Sequence, residues 1–233
     1  MTRIQDFWQP SAVAGPPRIA RAEGLNVWDE AGRRYLDVTS GPVTVNLGHG
    51  NRRVLEAMRA QAERACFAYP TSFASAPADE LAAELCAAAG PSFGAAFFVS
   101  GGSEAIERSV QFARLHAMAT GRGSRWKVIA RTPSYHGSTL GALALSGDLA
   151  AGVMAPYLRE SPRVPAPLSY RLPEGHDPDS WARHCLAELE ATAQREEPET
   201  CLAVIIEPAI GFSAGAVAAP DFYYGELRRL CDR

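Results

Sequence analysis

The chain has 233 residues, and 47% hydrophobic against 21% charged residues is typical of a globular protein with a substantial core. Its formal net charge of −3 provides no electrostatic basis for binding nucleic acid or an anionic membrane surface. No unbroken apolar run is long enough to cross a bilayer. We therefore expect neither a nucleic-acid partner nor a membrane partner.

The residues suited to metal or redox chemistry are scattered. The five cysteines form no Cys-x-x-Cys pair, and the five histidines show no spacing typical of metal ligands. We expect reduced thiols, no metal site and, since no apolar signal-like stretch opens the chain, a cytoplasmic location. Lys127 is the only lysine, so chemistry that requires a lysine amine has a single candidate here.

The N-terminal part of the chain predicts an arm followed by a β-hairpin. Residues 1–23 are proline-containing and irregular, and residues 24–37 form two strand-like runs around a Glu-Ala-Gly turn. The glycine-rich loop at 46–50 contains His49, which could contact a ligand or, more commonly for a loop histidine, bond to nearby backbone. We take residues 1–50 as a first segment and 51–233 as the main domain.

Two helices are predicted next. Asn51 is a typical N-cap for a helix whose apolar residues recur at helical spacing as far as Ala65. A second helix begins near Pro77 and ends at Gly90.

A strand, a glycine turn and a helix follow one another directly at residues 95–119. The apolar run 95–99 predicts a short buried strand, and Gly101 and Gly102 permit a sharp turn. Ser103 is expected to cap the following helix, with Glu104 in its first turn. Such a helix N-terminus attracts a phosphate. The alternative is a tight strand–helix turn that binds no ligand.

The remaining chain alternates strands and helices. Strands are predicted at 126–131 and 202–206, helices at 181–196 and 220–230, and residues 146–178 form a long surface excursion. This alternation favours a mainly parallel α/β sheet, whose ligands bind beyond the carboxyl ends of the strands.

Three polar motifs fall at those carboxyl ends, namely Gly101–Ser103, Tyr135–Gly137 and Glu207. Their shared position favours a ligand site over an empty turn. Neither a Gly-x-Gly-x-x-Gly pattern nor a Walker-type lysine motif stands at the glycine turn, so a dinucleotide or ATP site is disfavoured.

The sequence resembles the class III pyridoxal-phosphate (PLP) aminotransferases, of fold type I, and most closely their ω-amino acid:pyruvate branch. The resemblance spans nearly the whole chain. It is carried by the hairpin motif at 27–37, Asn-Leu-Gly-His-Gly at 46–50, Ser-Gly-Gly-Ser-Glu-Ala at 100–105, Ser-Tyr-His-Gly at 134–137, Glu-Pro at 207–208 and the helix at 220–233. It implies a mainly parallel sheet flanked by helices, truncated here, with an N-terminal segment of the small domain.

The resemblance also implies roles for individual residues. Gly102 and Ser103 would hold the cofactor phosphate, Tyr135 would stack on the pyridine ring, His136 would lie beside it and Glu207 would support its polar edge. Each has a structural alternative, such as a core tyrosine or a helix-capping carboxylate. Tyr69 is a further candidate, for contact with the substrate.

The catalytic groups of the family are not matched in this chain. The Schiff-base lysine and the aspartate that pairs with the pyridinium nitrogen are expected beyond Arg233. Lys127 stands at the start of a strand, at the end opposite the cofactor loops, where a solvated charge is expected. We therefore expect this chain to be a fragment that is inactive or nearly so.

The activity that the resemblance implies is transfer of an amino group from an amine or amino acid to a keto acid such as pyruvate, by a homodimer that uses PLP. Alternatives on the same scaffold are a racemase, a decarboxylase or an aminomutase. A non-catalytic pseudo-aminotransferase and a split subunit are further alternatives.

Overall fold

The computed structural model describes residues 16–147 and 149–233, in which a first compact unit ends at Ala95 and a second spans Ala96–Arg233. Residues 1–15 of the predicted N-terminal arm lie outside the described residues. The helices and strands of the first unit are β1 (Ile19–Glu23), β2 (Asn26–Asp29), β3 (Arg34–Leu36), α1 (Ser40–Val43), α2 (Arg52–Arg64) and α3 (Ala76–Ala89).

The first unit contains an antiparallel sheet in the order β1-β2-β3. The predicted hairpin is confirmed as β2 and β3, and Asp29 closes its turn by accepting hydrogen bonds from the backbone N–H groups of Ala31 (3.0 Å) and Arg33 (2.8 Å). The prediction of an irregular segment up to residue 23 is wrong, because residues 19–23 pair with β2 along most of their length. Backbone pairing with a neighbouring strand outweighs the weak local preferences of this segment.

Both predicted helices of the first unit are present. The Asn51 side chain accepts a hydrogen bond from Val54 N–H at 3.3 Å, which confirms its capping role for α2. Helix α3 ends at Gly90, where φ is +104°. Neither helix contains a buried residue.

The second unit is built around a parallel sheet. Its elements are α4 (Gly102–Ala119), β4 (Lys127–Thr132), α5 (Leu140–Leu145), α6 (Leu149–Met154), β5 (Arg163–Pro165), α7 (Pro178–Arg195), β6 (Cys201–Ile205), β7 (Ala209–Ile210), β8 (Val217–Ala218) and α8 (Phe222–Asp232), with 3₁₀ turns at Ala155–Tyr157 and Pro198–Thr200. The sheet order is β5-β4-β6, and β7 and β8 form a separate antiparallel pair.

The core of this unit lies between the sheet and two helices. The clustered side chains come from β4, β5, α7 and α8, and they are Ile129, Val164, Ala182, Cys185, Leu189, Tyr223 and Leu227. Because successive side chains of a strand point to opposite faces, Val128 and Ala130 of β4 are buried on the other face of the sheet. Helices α4 and α5 contact strands β6 and β4 of this sheet.

Two predicted segments of this unit differ from the structure. Residues 95–99 form no strand, and Phe98 remains 45% exposed, because no strand of the described residues lies alongside to form a hydrogen-bonded ladder. Residues 146–178 are more than a surface excursion, because their Arg163–Pro165 segment pairs with β4 and buries Val164. Such pairings depend on non-local contacts, which periodicity within a short window does not report.

Candidate functional site

The N-terminus of α4 opens onto free space in the second unit. Gly101 is the N-cap, with extended backbone (φ −164°), and Gly102 is the first helical residue. A Cβ placed on either glycine meets nothing within 4 Å. The first N–H groups of a helix have no partner within it and lie at the positive end of its dipole. This helix end therefore suits a phosphate that approaches the backbone.

Ser103 lies inside the helix and connects it to the loop that follows β4. The prediction of Ser103 as N-cap is wrong, because Gly101 occupies that position and the Ser103 side chain makes no capping hydrogen bond. Its Oγ instead accepts a hydrogen bond from Ser138 N–H at 2.9 Å. The hydroxyl hydrogen remains available to an acceptor such as a phosphate oxygen.

The contact between α4 and this loop requires glycine at position 137. A Cβ on Gly137 would lie 2.5 Å from Ser103 Oγ and 2.8 Å from the Ala142 Cβ, and its φ of +142° disfavours other residues. The absence of a side chain thus allows the loop after β4 to approach the start of α4. The sequence predicts the glycine but not the residue it meets.

Glu207 joins the loops that follow β4 and β6. Its Oε1 accepts a hydrogen bond from Tyr135 N–H at 2.8 Å, and its Oε2 accepts one from Gly211 N–H at 3.1 Å. A carboxylate that accepts two backbone N–H groups is held in one orientation by charge-assisted hydrogen bonds. Glu207 therefore lies against the Tyr135 loop, and its role toward a ligand stays a prediction.

Tyr135 presents a partly open aromatic ring. The residue is 39% exposed, and its hydroxyl lies 3.1 Å from Ser138 Oγ. The ring centroid is 5.7 Å from that of Phe212, with an interplanar angle of 52°. An exposed planar face beside a second aromatic ring suits a flat heteroaromatic ligand.

His136 is oriented by its backbone and buried by its surroundings. Its N–H donates to Ser146 Oγ at 2.8 Å, and its Nε2 is buried with no hydrogen-bond partner in the part of the chain that the structure describes. Burial lowers the pKa of the imidazole, and the nearby Glu207 carboxylate partly opposes that shift. The ring therefore favours the neutral form, in which one nitrogen can accept a hydrogen bond.

Lys127 is the first residue of β4 and pairs with Glu196, at the end of the strand away from Tyr135. Its Nζ lies 3.0 Å from Glu196 Oε2 and donates to the Glu196 carbonyl oxygen at 2.7 Å. The side chain is only 16% exposed, so the prediction of a solvated charge is wrong in detail. Its position at the start of β4, away from the carboxyl ends where Tyr135 and Glu207 lie, is as predicted.

Two other candidates lie in the first unit. The Tyr69 ring is exposed, and its carbonyl accepts hydrogen bonds from Ser72 and Phe73 N–H at 2.9 Å each. His49 Nε2 lies 2.8 Å from Asp37 Oδ2, so the prediction that this side chain bonds to nearby backbone is wrong in its partner, which is a carboxylate. This hydrogen bond is the main reason that the pKa of Asp37 is lowered.

The sequence-based reasoning missed two neighbours of the site. Phe212 contacts the Tyr135 ring, and buried Arg131 donates from Nη2 to the Glu207 carbonyl oxygen. A charged residue within the apolar run of β4 was the available signal for Arg131. Phe212 stands in a loop and carries no comparable signal.

Comparison with known proteins identifies the class. The aminotransferase class-III family matches residues 11–233. A relative from Bacillus subtilis, the uncharacterized aminotransferase YodT, is 35% identical over 96% of this chain and 50% of its own length. The crystal structure of a thermostable (S)-enantioselective omega-transaminase from Thermomicrobium roseum matches with a TM-score of 0.87 and 35% identity, over 97% of this chain and 52% of that one.

A third comparison bears on the cofactor. The omega transaminase from Pseudomonas jessenii, solved in complex with PMP, matches with a TM-score of 0.88 and 29% identity, over 96% of this chain and 51% of that one. The chain thus spans about half the length of these relatives. It belongs to the class III aminotransferases, has the fold type I architecture of its neighbours, and its family uses PLP as cofactor.

The residues present fit that cofactor. The open space at Gly101 and Gly102 accommodates a phosphate at the start of α4, and Tyr135 offers a partly exposed ring face. His136 Nε2 is a buried polar atom that lacks a partner among the described residues. Within the described ranges, no cluster of three metal-ligating side chains occurs, and no helix is long and apolar enough to cross a membrane.

Proposed function

We propose that the protein containing this chain is a PLP-dependent transaminase that moves an amino group from an amine or amino acid to a keto acid such as pyruvate. One observation carries the proposal: the Ser103 and Glu207 hydrogen bonds join the phosphate-suited helix end, the exposed ring of Tyr135 and a fixed carboxylate into one cluster. The omega-transaminase names of two structural relatives support the choice of transamination as the reaction.

Each residue of the cluster has a proposed task. The Gly102 and Ser103 N–H groups and the Ser103 hydroxyl hold the phosphate, and Tyr135 supports the pyridine ring. Glu207 keeps the loops of Tyr135 and Gly211 in place, and the neutral His136 offers a hydrogen-bond acceptor beside the ring. The bound cofactor supplies an electron sink for the carbon that loses the amino group.

We infer that the catalytic lysine and the aspartate for the pyridinium nitrogen lie outside these 233 residues. Lys127 is the only lysine, and its amine is committed to Glu196 at the far end of β4. The 233-residue chain alone is thus proposed to be inactive or nearly so. Tyr69 stays a proposed substrate contact, and residues 1–50 and 51–233 stay the proposed arm-and-hairpin segment and large domain.

A homodimer and a cytoplasmic location complete the proposal. Helix α2 has no buried residue, and its apolar side chains Leu55 and Met58 are exposed, as expected of surface that another chain covers. The scattered cysteines suit a reducing compartment. A racemase, decarboxylase or aminomutase on the same scaffold, a pseudo-aminotransferase and a split subunit are the alternatives.

The test is a substrate screen with the complete protein that carries this chain. With PLP and an amine or amino acid plus pyruvate, we expect formation of alanine and of the matching carbonyl product. The screen could instead show a racemised substrate, or the amine left when an amino acid loses its carboxylate, with no amino transfer to any keto acid. Either result would replace this proposal with the corresponding alternative. Absence of any turnover despite bound PLP would favour a non-catalytic protein.

A further inference from the structure

A charged side chain lies in the interior of the second unit. Arg131, the fifth residue of β4, is 1% exposed. Across residues 16–147 and 149–233, no carboxylate forms an ion pair with it. A buried guanidinium without a counter-charge destabilises a fold, so packing alone is a poor explanation for an arginine here.

Arg131 contacts the loops at the carboxyl ends of β4 and β6. Its Nη2 donates to the Glu207 carbonyl oxygen, and its own carbonyl oxygen accepts from Ser134 Oγ at 2.6 Å. The guanidinium also lies beside the Tyr223 hydroxyl of α8, where it partly opposes the rise that burial causes in the pKa of Tyr223. Arg131 is therefore anchored on the core side and attached to Glu207 on the site side.

Glu207 links Arg131 to the backbone of Tyr135 and Gly211. Its carbonyl oxygen is held by Arg131, while its carboxylate accepts from the N–H groups of Tyr135 (2.8 Å) and Gly211 (3.1 Å). When the main chain of a residue is fixed, its side chain reaches a narrower set of positions. The rigid planar guanidinium is better suited to such fixing than a flexible ammonium group.

We propose that Arg131 is a positioning residue: by holding the main chain of Glu207, it directs the Glu207 carboxylate onto the backbone of Tyr135 and Gly211. The proposal rests on the proposed function only where it assigns those residues to the cofactor site. The hydrogen bonds themselves join residues of this chain to one another, so they do not depend on the proposed function. Arg131 contacts neither cofactor nor substrate in this scheme and acts through Glu207.

The test is amide hydrogen exchange in the complete protein without added PLP. Arg131→Met keeps an unbranched side chain in the core and removes the donors. We expect the Tyr135 and Gly211 amides to exchange about tenfold faster, since loss of a charged donor weakens the hydrogen bonds that depend on it. The Ala130 amide, which donates to the Pro162 carbonyl oxygen at 2.9 Å, serves as the control and is expected to stay unchanged.

Two further variants separate positioning from general loosening. Arg131→Lys keeps a cation and a hydrogen-bond donor but loses the planar guanidinium. We therefore expect the Tyr135 amide to be partly protected again, relative to Arg131→Met. In a Glu207→Ala background the carboxylate is gone, so Arg131→Met is expected to add little further exchange at either amide. Equal acceleration at Ala130, or fully additive effects in that background, would overturn the proposal, as would unchanged exchange at Tyr135 and Gly211.

A PLP titration tests the link to the cofactor separately. For Arg131→Met we expect the Kd for PLP to rise about tenfold relative to the parent protein, because Tyr135 is no longer held in place. A parent protein that binds no PLP would refute the proposed function, whereas the exchange data would still decide whether Arg131 positions Glu207. Accelerated amides with an unchanged Kd would overturn the assignment of this arrangement to the cofactor site.

Discussion

The carboxylate of Glu207 accepts a hydrogen bond from the backbone N–H of Tyr135 at 2.8 Å, across 72 residues of sequence. A second bond from Gly211 N–H at 3.1 Å fixes the other oxygen. The carboxyl end of β6 is thereby joined to the loop after β4. In parallel sheets this edge is where loops assemble a ligand site, and here one side chain holds two of those loops together.

The close contact at Gly137 is open to a direct stability test. We expect Gly137→Ala to lower the free energy of unfolding by about 2 kcal/mol, because the new methyl group would lie 2.5 Å from Ser103 Oγ and φ is +142°. Urea denaturation measures the change. Gly152→Ala is the control, since a Cβ there meets nothing within 4 Å, and we expect little or no loss. Equal stability of the two variants would contradict the steric explanation.

Ser103 offers a test of the phosphate site. We expect Ser103→Ala to raise the Kd for PLP about tenfold, because the variant loses the acceptor of Ser138 N–H and a donor for the phosphate. A titration that follows cofactor absorbance measures this. Ser109→Ala removes a hydroxyl from the same helix, where Oγ donates to the Ala105 carbonyl oxygen at 2.8 Å. If both variants lost affinity equally, the effect would belong to the helix and not to the site.

The buried His136 predicts a specific pH dependence of stability. Its pKa in the folded state is lowered from 6.5 by burial, so below that value the unfolded chain binds the proton more readily than the folded one. This contribution to stability is fully present above pH 6.5 and is lost as the pH falls below it. Urea unfolding between pH 5.5 and 7.5 should show a shallower pH dependence for His136→Asn than for the parent.

The matched control for that measurement is His116→Asn in helix α4, where the side chain is exposed. A larger change of slope for His136→Asn than for His116→Asn would assign the pH dependence to the buried histidine. The same slope in all three proteins would show that proton binding at His136 does not contribute to folding in this range.

Lys127 provides a negative prediction for the chemistry. Borohydride reduction of the 233-residue chain in the presence of PLP is expected to leave Lys127 unlabelled in a peptide mass map, because its amine is bonded to Glu196. Lys127→Met should cost about 1 kcal/mol of stability through loss of a partly buried ion pair. Its Kd for PLP should equal that of the parent. Strong labelling of Lys127 would refute the assignment of the catalytic lysine to residues outside this chain.

Local sequence was sufficient for the elements whose signals are local. Asn51 predicted the start of α2, and the apolar run of β4 predicted a buried strand. The capping oxygen and the side-chain periodicity act within a few residues of themselves, so a short window contains the physical cause. Two of the three site motifs, Tyr135–Gly137 and Glu207, were placed at carboxyl strand ends for the same reason, whereas Gly101–Ser103 follows residues that form no strand.

Tertiary structure decided what depends on distant partners. Residues 95–99 have the composition of a strand but lack a neighbouring strand among the described residues, whereas Arg163–Pro165 became a strand by pairing with β4. Ser103 is not the N-cap, because the helix already begins at Gly102 with Gly101 as its N-cap, and the Ser103 oxygen accepts from Ser138 instead. The bond from Arg131 to Glu207 spans 76 residues. No local signal specifies such a contact, because hydrogen bonds and steric fit act between groups that only the folded chain brings together.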